Sequence, residues 1–280
     1  HHLHLFSNYF NLSPVDDSNF VSDAPHIGGP ITTRVIGGMI LSQATNAFKK
    51  VYPNLDPHTM HYNFISPGIT HIPLEFEVKS FDDANFASIH VTQNKKVVGM
   101  AHFRFSNEPD FLDASSIVYQ EDGPVKREYK FQELGELGKI FLAMHIRDDY
   151  PVETRFIETK NVRRAAQWLR IKPKYHDILK LTDGFLVAMF LCEFSMSLTA
   201  LESYNRAGIK VINYASLDHA VWMHETATIN STGWFLSVTD CEVLSFGRTL
   251  QRSWLFDENR SCIMSLAQEG YIQRAQANKL

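Results

Sequence analysis

The chain is short of cysteine, with three in 280 residues, at Cys192, Cys241 and Cys262. These are too few and too scattered for a disulfide framework or a zinc site, both of which need paired spacing, and they favour a reducing compartment. A charge excess of one sign is also missing. Lys+Arg 27 against Asp+Glu 31 leaves a formal net charge of -4, which offers no positive field to a nucleic-acid backbone. The basic residues that do cluster, Lys160, Arg163, Arg164, Arg170, Lys172 and Lys174, read as a solvated face, with contact to a small phosphorylated ligand as the alternative. Long hydrophobic runs are absent as well. The most apolar, Phe185 to Cys192, falls well short of the roughly 20 residues of a membrane span, so no span is expected. No G-x-S-x-G motif is present, which weighs against an α/β-hydrolase with a serine nucleophile. Gly37-Gly38 and Gly233 lack the spacing of a nucleotide-binding loop. The opening His1-His2-Leu3-His4 carries no signal-peptide pattern.

What is present is core material, 44% hydrophobic residues in a length that suits one large or two modest domains. From Thr33 to Val51 apolar residues recur at helical spacing until Pro53. Gly37 and Gly38, near the start of that helix, allow close approach by a neighbouring backbone or by a ligand phosphate, and are candidate substrate-binding positions. Strand signals follow at Tyr62 to Ile65, Leu74 to Ser80, Phe86 to Gln93 and Lys96 to Phe105. A polar connection with a charged, helical stretch from Glu128 to His145 leads to strands at Val152 to Ile157 and Ala166 to Ile171. Asp183 then caps an apolar helix from Gly184 to Leu201, and a second meander runs from Ala215 to Ile272.

Helix followed by antiparallel strands, twice over, argues for an α+β fold rather than a parallel α/β one. The expected arrangement is a double hotdog, two antiparallel sheets each wrapped around a long helix. Its units are residues 1–106 and 151–280, joined by a connection over 107–150, with His61 and His219 at matching positions of the repeat.

The blocks R-V-I-G-G-M-I-L-S-Q-A (Arg34 to Ala44), M-H-Y-N-F-I-S-P-G (Met60 to Gly68), A-S-L-D-H-A-V-W-M-H (Ala215 to His224), G-R-T-L (Gly247 to Leu250) and A-Q-E-G-Y-I (Ala267 to Ile272) resemble the acyl-CoA thioesterase II family, in the family's order. The resemblance implies the double hotdog fold and hydrolysis of fatty acyl-CoA to free acid and CoA, with acyl-CoA as the partner and neither cofactor nor metal. It also implies a catalytic set of an acid on the second helix, a hydroxyl just before L-D-H and the Gln of Q-E-G, which fall here on Glu193, Ser216 and Gln268. The family usually keeps Asp where this chain has Glu193. His61 has a family counterpart linked to activity and, with Asp218 and His219, forms a second tier. A peroxisomal branch ends in S-K-L-like tripeptides, so Asn278-Lys279-Leu280 is a candidate ligand of the peroxisomal import receptor, with the cytoplasm as the alternative location.

Physically, such a set has a carboxylate take a proton from water while a hydroxyl and an amide hold that water in line with the thioester carbonyl. Glu193 stands out unaided, because a charge in a helix that is apolar on all sides needs a partner or a purpose. Ser216 taken alone reads as a strand-edge hydroxyl, and Asp218 with His219 as structural hydrogen bonding at the seam between halves. The alternatives in function are a non-catalytic acyl-CoA binding module and a hotdog dehydratase acting on enoyl- or hydroxyacyl-CoA. Exposed sheet edges and faces lead us to expect a homo-oligomer.

Overall fold

The computed structural model describes residues 9–29, 31–106, 144, 146–157, 159, 161, 163–194, 196–224 and 229–275. The expected helical stretch from Glu128, most of the 107–150 connection, Lys160 and the tripeptide Asn278, Lys279, Leu280 lie outside these residues.

The elements run β1 (Ser13–Pro14), β2 (Asn19–Ser22), α1 (Gly37–Val51), β3 (Pro57–Phe64), β4 (Leu74–Phe81), β5 (Phe86–Gln93) and β6 (Lys96–Phe105) in the first half. The second half holds β7 (Val152–Ile157), β8 (Arg164–Ile171), α2 (Gly184–Cys192), α3 (Met196–Arg206), β9 (Val211–Ser216), β10 (Asp218–Met223), β11 (Phe235–Ser245), β12 (Arg248–Phe256) and β13 (Cys262–Arg274). The strands form one sheet in the order β1-β2-β4-β5-β6-β3-β10-β13-β12-β11-β8-β7, with β9 attached to β13. Every strand pair is antiparallel, and β3 with β10 joins the halves. This is the α+β double hotdog, one curved sheet folded around two central helices.

α1 buries Met39, Ile40, Leu41, Ala44, Ala47 and Phe48 against β4, β5 and α2. It begins later than the periodicity predicts. Thr33 lies in a turn, and Arg34 and Val35 form isolated antiparallel bridges with Ile69 and Gly28; Val35 N–H donates to Gly68 O at 2.9 Å and Ile36 N–H to Ile27 O at 3.2 Å. α2 is buried at all nine of its positions, as suits a helix apolar all round. Asp183 caps it, accepting from the Phe185 amide at 2.9 Å. α1 and α2 cross at Gly38, where an added Cβ would lie 2.1 Å from the Phe190 carbonyl oxygen. One turn on, the Ser42 hydroxyl donates to Leu186 O at 2.7 Å.

Two expectations need correction. The predicted Gly184–Leu201 helix is two helices broken at Glu193–Phe194. The break leaves carbonyls without helical partners, and Gln167 Nε2 on β8 donates to one of them, Phe194 O, at 3.2 Å. Taken together, Gly184–Arg206 is long and apolar enough by composition to cross a membrane, but 82% of its apolar window is buried inside the protein, the place of a core helix. Finally, His61 and His219 do not match. In the β3–β10 register His219 faces Tyr62 and Ala220 faces His61, and side chains alternate between faces with period two. His219 is fully buried on the inner face with Tyr62, whereas His61 is exposed on the outer one.

The basic cluster is occupied within the protein. Arg164 pairs with Asp240 at 2.6 Å, Arg170 with Glu153 at 2.8 Å and Lys174 with Asp148 at 2.7 Å. Arg163 and Lys172 donate to the carbonyls of Cys241 and Arg147.

Candidate active site

A cavity of about 310 Å³ opens where the N-terminus of α1, the end of β3, the helix break and the β9–β10 corner meet. Its walls are mostly apolar, with Ile36, Ile40, Phe64, Phe194 and Leu217 among them, and among the described residues its charged side chains are Arg34 and Glu193. That is the usual chemistry of a ligand pocket, apolar with a few polar groups.

Glu193 reaches the wall because the chain leaves the helix at this residue. Its Oε1 accepts from the Ser216 hydroxyl at 3.1 Å, and the Gly38 amide, at the positive end of α1, donates to the same carboxyl. Burial nevertheless dominates and pushes the carboxyl from the ordinary carboxylate range up to about 7, against the pull of both donors. A base poised there is half ionised at neutral pH and able to accept a proton. Gly37 supplies the room, since a Cβ on it would lie 3.1 Å from Glu193 Cδ and Oε2. The longer acid is thus accommodated against a glycine.

Ser216 is the last residue of β9, opposite Gly270. β13 pairs with both β9 and β10, and the corner between them is pinned by Leu217 N–H to Glu269 O at 2.9 Å and by Phe64 N–H to Leu217 O at 3.0 Å. That fork fixes the hydroxyl against Glu193.

The other candidate residues are placed differently. Gln268 is completely buried and off the cavity wall. Its Oε1 accepts from His219 Nδ1 at 2.9 Å, and its Nε2 donates to Ser197 Oγ at 3.4 Å. His219 Nε2 lies 3.4 Å from Cys192 Sγ, and burial lowers the imidazole to about 4, so it is neutral at physiological pH. Asp218 and His219 make separate structural bonds rather than a catalytic pair. Its Oδ1 accepts from the Glu269 amide at 2.9 Å, tying β10 to β13. His61 sits on the far side of the sheet, its ring edge-on to Trp222. Gly37 is on the wall, while Gly38 packs on Phe190 and meets the ligand space only through Glu193.

Residues missed from sequence are Ser197, Tyr150, Tyr214 and Arg34, all on the wall. Burial, with the Glu193 charge nearby, raises both tyrosines far above their usual range, so they remain phenols. Cys192 is likewise raised by burial and is no thiolate nucleophile. Among the described residues no group of His, Cys, Asp and Glu is arranged to hold a metal.

The chain resembles solved structures along nearly its whole length. An acyl-CoA thioesterase II from Mycobacterium marinum is 15% identical with a TM-score of 0.70, over 98% of each chain. A tesB protein from Mycobacterium avium subspecies paratuberculosis is 20% identical with a TM-score of 0.68, over 96% of this chain and 98% of that one. A hot dog fold protein of unknown function from Alicyclobacillus acidocaldarius is 16% identical with a TM-score of 0.72, over 97% and 98%. No curated protein matches. The model of the acyl-CoA thioesterase C-terminal domain family matches residues 113–272, more than half of the chain and the part that carries the helix break, the Ser216 corner and the strand of Gln268. By that match the chain belongs to the acyl-CoA thioesterase family.

Proposed function

We propose that the protein hydrolyses fatty acyl-CoA thioesters to free acid and CoA, with Glu193 as the general base. The observation that carries this reading is the Glu193–Ser216 pair on an otherwise apolar cavity wall, with a carboxyl raised to about 7. A thioester carbonyl beside this pair would meet a water whose proton Glu193 takes and whose position the Ser216 hydroxyl fixes. No covalent intermediate is needed: as the tetrahedral species collapses the C–S bond breaks, and the proton held by Glu193 passes to the departing sulfur, releasing CoA thiol and regenerating the base. Gln268 supports the site from behind its wall, at one remove. Arg34 makes no ion pair and no side-chain hydrogen bond among the described residues, and its place on the cavity wall suits it to the phosphates of the CoA moiety. A dehydratase would present an imidazole to its substrate, whereas His219 is sealed behind the wall and spent on Gln268 and Cys192.

The test is thiol release from a panel of acyl-CoA substrates, including palmitoyl-CoA. Wild-type turnover that disappears in Glu193→Gln supports the reading, and Ser216→Ala should lower turnover by about 10²-fold with folding intact. A wild type inert on the whole panel overturns it.

A further inference from the structure

We infer that Ser197 is a further catalytic group of this site, and that Gln268 acts as a positioning residue through it. The inference rests on the hydrolase reading above. Ser197 lies in the first turn of α3, four residues after Glu193, and lines the same cavity as Glu193 and Ser216. Gln268 does not line that cavity, being buried with both ends of its amide engaged.

The direction of these bonds decides what Ser197 offers. The neutral His219 ring carries one proton. With Gln268 Oε1 as acceptor at 2.9 Å, that proton is on Nδ1, and the bare Nε2 faces the Cys192 sulfur at 3.4 Å, whose own proton goes to Met189 O at 3.2 Å. The remaining end of Gln268 is an NH₂, which only donates, so the Ser197 oxygen is its acceptor. The Ser197 proton is then free to point into the cavity. The chain runs His219 to Gln268 to Ser197 and ends on a hydroxyl donor facing the reacting carbonyl.

The site therefore has two hydroxyls with separate duties. Ser216 gives its proton to Glu193 and can hold the water through its oxygen. Ser197 gives its proton to whatever lies in the cavity, which in hydrolysis is the thioester oxygen as it gains negative charge. A neutral donor fixed before the reaction is favourable for that charge because it needs no reorganisation. A buried glutamine that cannot touch water directly still affects turnover in this arrangement, because it holds the serine oxygen and leaves one rotamer for the hydroxyl proton.

The experiment compares Ser197→Ala, Gln268→Ala and the double variant in steady-state thiol release, alongside thermal unfolding. Ser197→Ala should lower kcat by about 10- to 10²-fold with KM nearly unchanged and an unfolding midpoint near that of the wild type. The double variant should be no slower than the slower single variant, since both remove the same donor. Wild-type kcat in Ser197→Ala overturns the inference while leaving the hydrolase reading intact, as does a double variant whose loss is the product of the single losses. Should Gln268→Ala fail to fold, having left the His219 proton without an acceptor, the kcat of Ser197→Ala decides alone. A wild type without thiol release removes the hydrolase reading, and this inference with it.

Discussion

The two halves of the sheet share a layout and differ in what they face inward. In the first half β4, β5 and β6 present Phe76, Val78, Ile89, Val91, Ala101 and Phe103 to α1, which runs unbroken for 15 residues. In the second half β8, β11, β12 and β13 present Gln167, Ser237, Thr239, Gln251, Ser253 and Gln268, all buried, beneath a helix broken at Glu193. The break and the polar floor belong together. A helix end inside a protein needs partners for its freed carbonyls, and Gln167 donates to Phe194 O. Thr239 and Ser253 bond each other at 2.9 Å, and Gln251 bonds Thr249 at the same distance. One half thus supplies packing, the other a place where the chain turns a carboxylate toward a ligand.

The largest expected effect comes from removing that carboxylate. Glu193→Gln keeps the shape but cannot accept a proton, and turnover should fall by about 10²- to 10⁴-fold. Wild-type kcat should rise with pH through about 7 as the base ionises, a limb that is absent from any residual activity of the variant. Stability should run the other way. A carboxyl whose folded pKa lies above its unfolded one holds its proton more tightly when folded, so its contribution is present below the usual carboxylate range and lost as the pH rises through about 7. The shift from 4.5 to about 7 bounds that loss at on the order of 3 kcal/mol. Glu193→Gln should therefore unfold at a higher temperature than the wild type at pH 8, and an equal or lower midpoint would contradict the buried-carboxyl account.

The first half should respond in the opposite currency. Phe103 is fully buried and stacks on Phe48 of α1 at 5.0 Å. Phe103→Ala removes that packing and should cost about 3–5 kcal/mol of stability, visible in denaturant unfolding. The folded fraction should keep a kcat within a few-fold of wild type. A specific loss of kcat at full folding would show that the halves are not divided as the interior suggests.

Much of this division was legible in the sequence, and the parts that were not have physical reasons. Phe86–Gln93, Lys96–Phe105 and Val152–Ile157 appear with the bounds their alternation predicts, because period-two patterning on a half-buried sheet is a strong signal. Glu193 was conspicuous as a charge in an apolar run. The helix break beside it was invisible, since neither glycine nor proline marks it and the stop is made by distant partners, Gly38, Ser216 and Gln167. The β9–β10 corner was hidden too, because it depends on β13 serving both strands. The pairing of His61 with His219 matched letters in a repeat and ignored which face each occupies, and one residue of register reverses the face. Ser197 carries no local signal. It is one more hydroxyl on an amphipathic helix, and its place on the cavity wall comes from the helix break.

A smaller effect tests the contact between halves. Gly37 belongs to α1 of the packing half, yet a Cβ there would lie 3.1 Å from the Glu193 carboxyl and 3.1 Å from Phe64 Cζ. Gly37→Ala should shift the carboxylate by a few tenths of an ångström and slow turnover by about 10-fold, since sub-ångström misplacement is costly in a positioned base. The informative companion is Gly37→Ala with Glu193→Asp. If the added methyl displaces the longer acid, shortening the acid restores part of the loss, and an additive loss would show that the two positions do not compete for the same space.

The smallest effect concerns Arg34, two residues before Ile36, the N-cap of α1. Its guanidinium is proposed to meet the phosphates of CoA, a partly exposed contact that steers and holds rather than reacts. Arg34→Ala should raise KM for acyl-CoA by about 3- to 10-fold with kcat unchanged, because binding that is equal in ground and transition states affects KM alone. The same acyl group on N-acetylcysteamine carries no phosphate and should be turned over equally by wild type and variant. Added salt should narrow the difference with acyl-CoA, as screening weakens exposed charge contacts. An equal KM rise with both thioesters would instead assign Arg34 to the shape of the cavity wall, and would leave the Gly38 amide as the first half's polar contribution to the site.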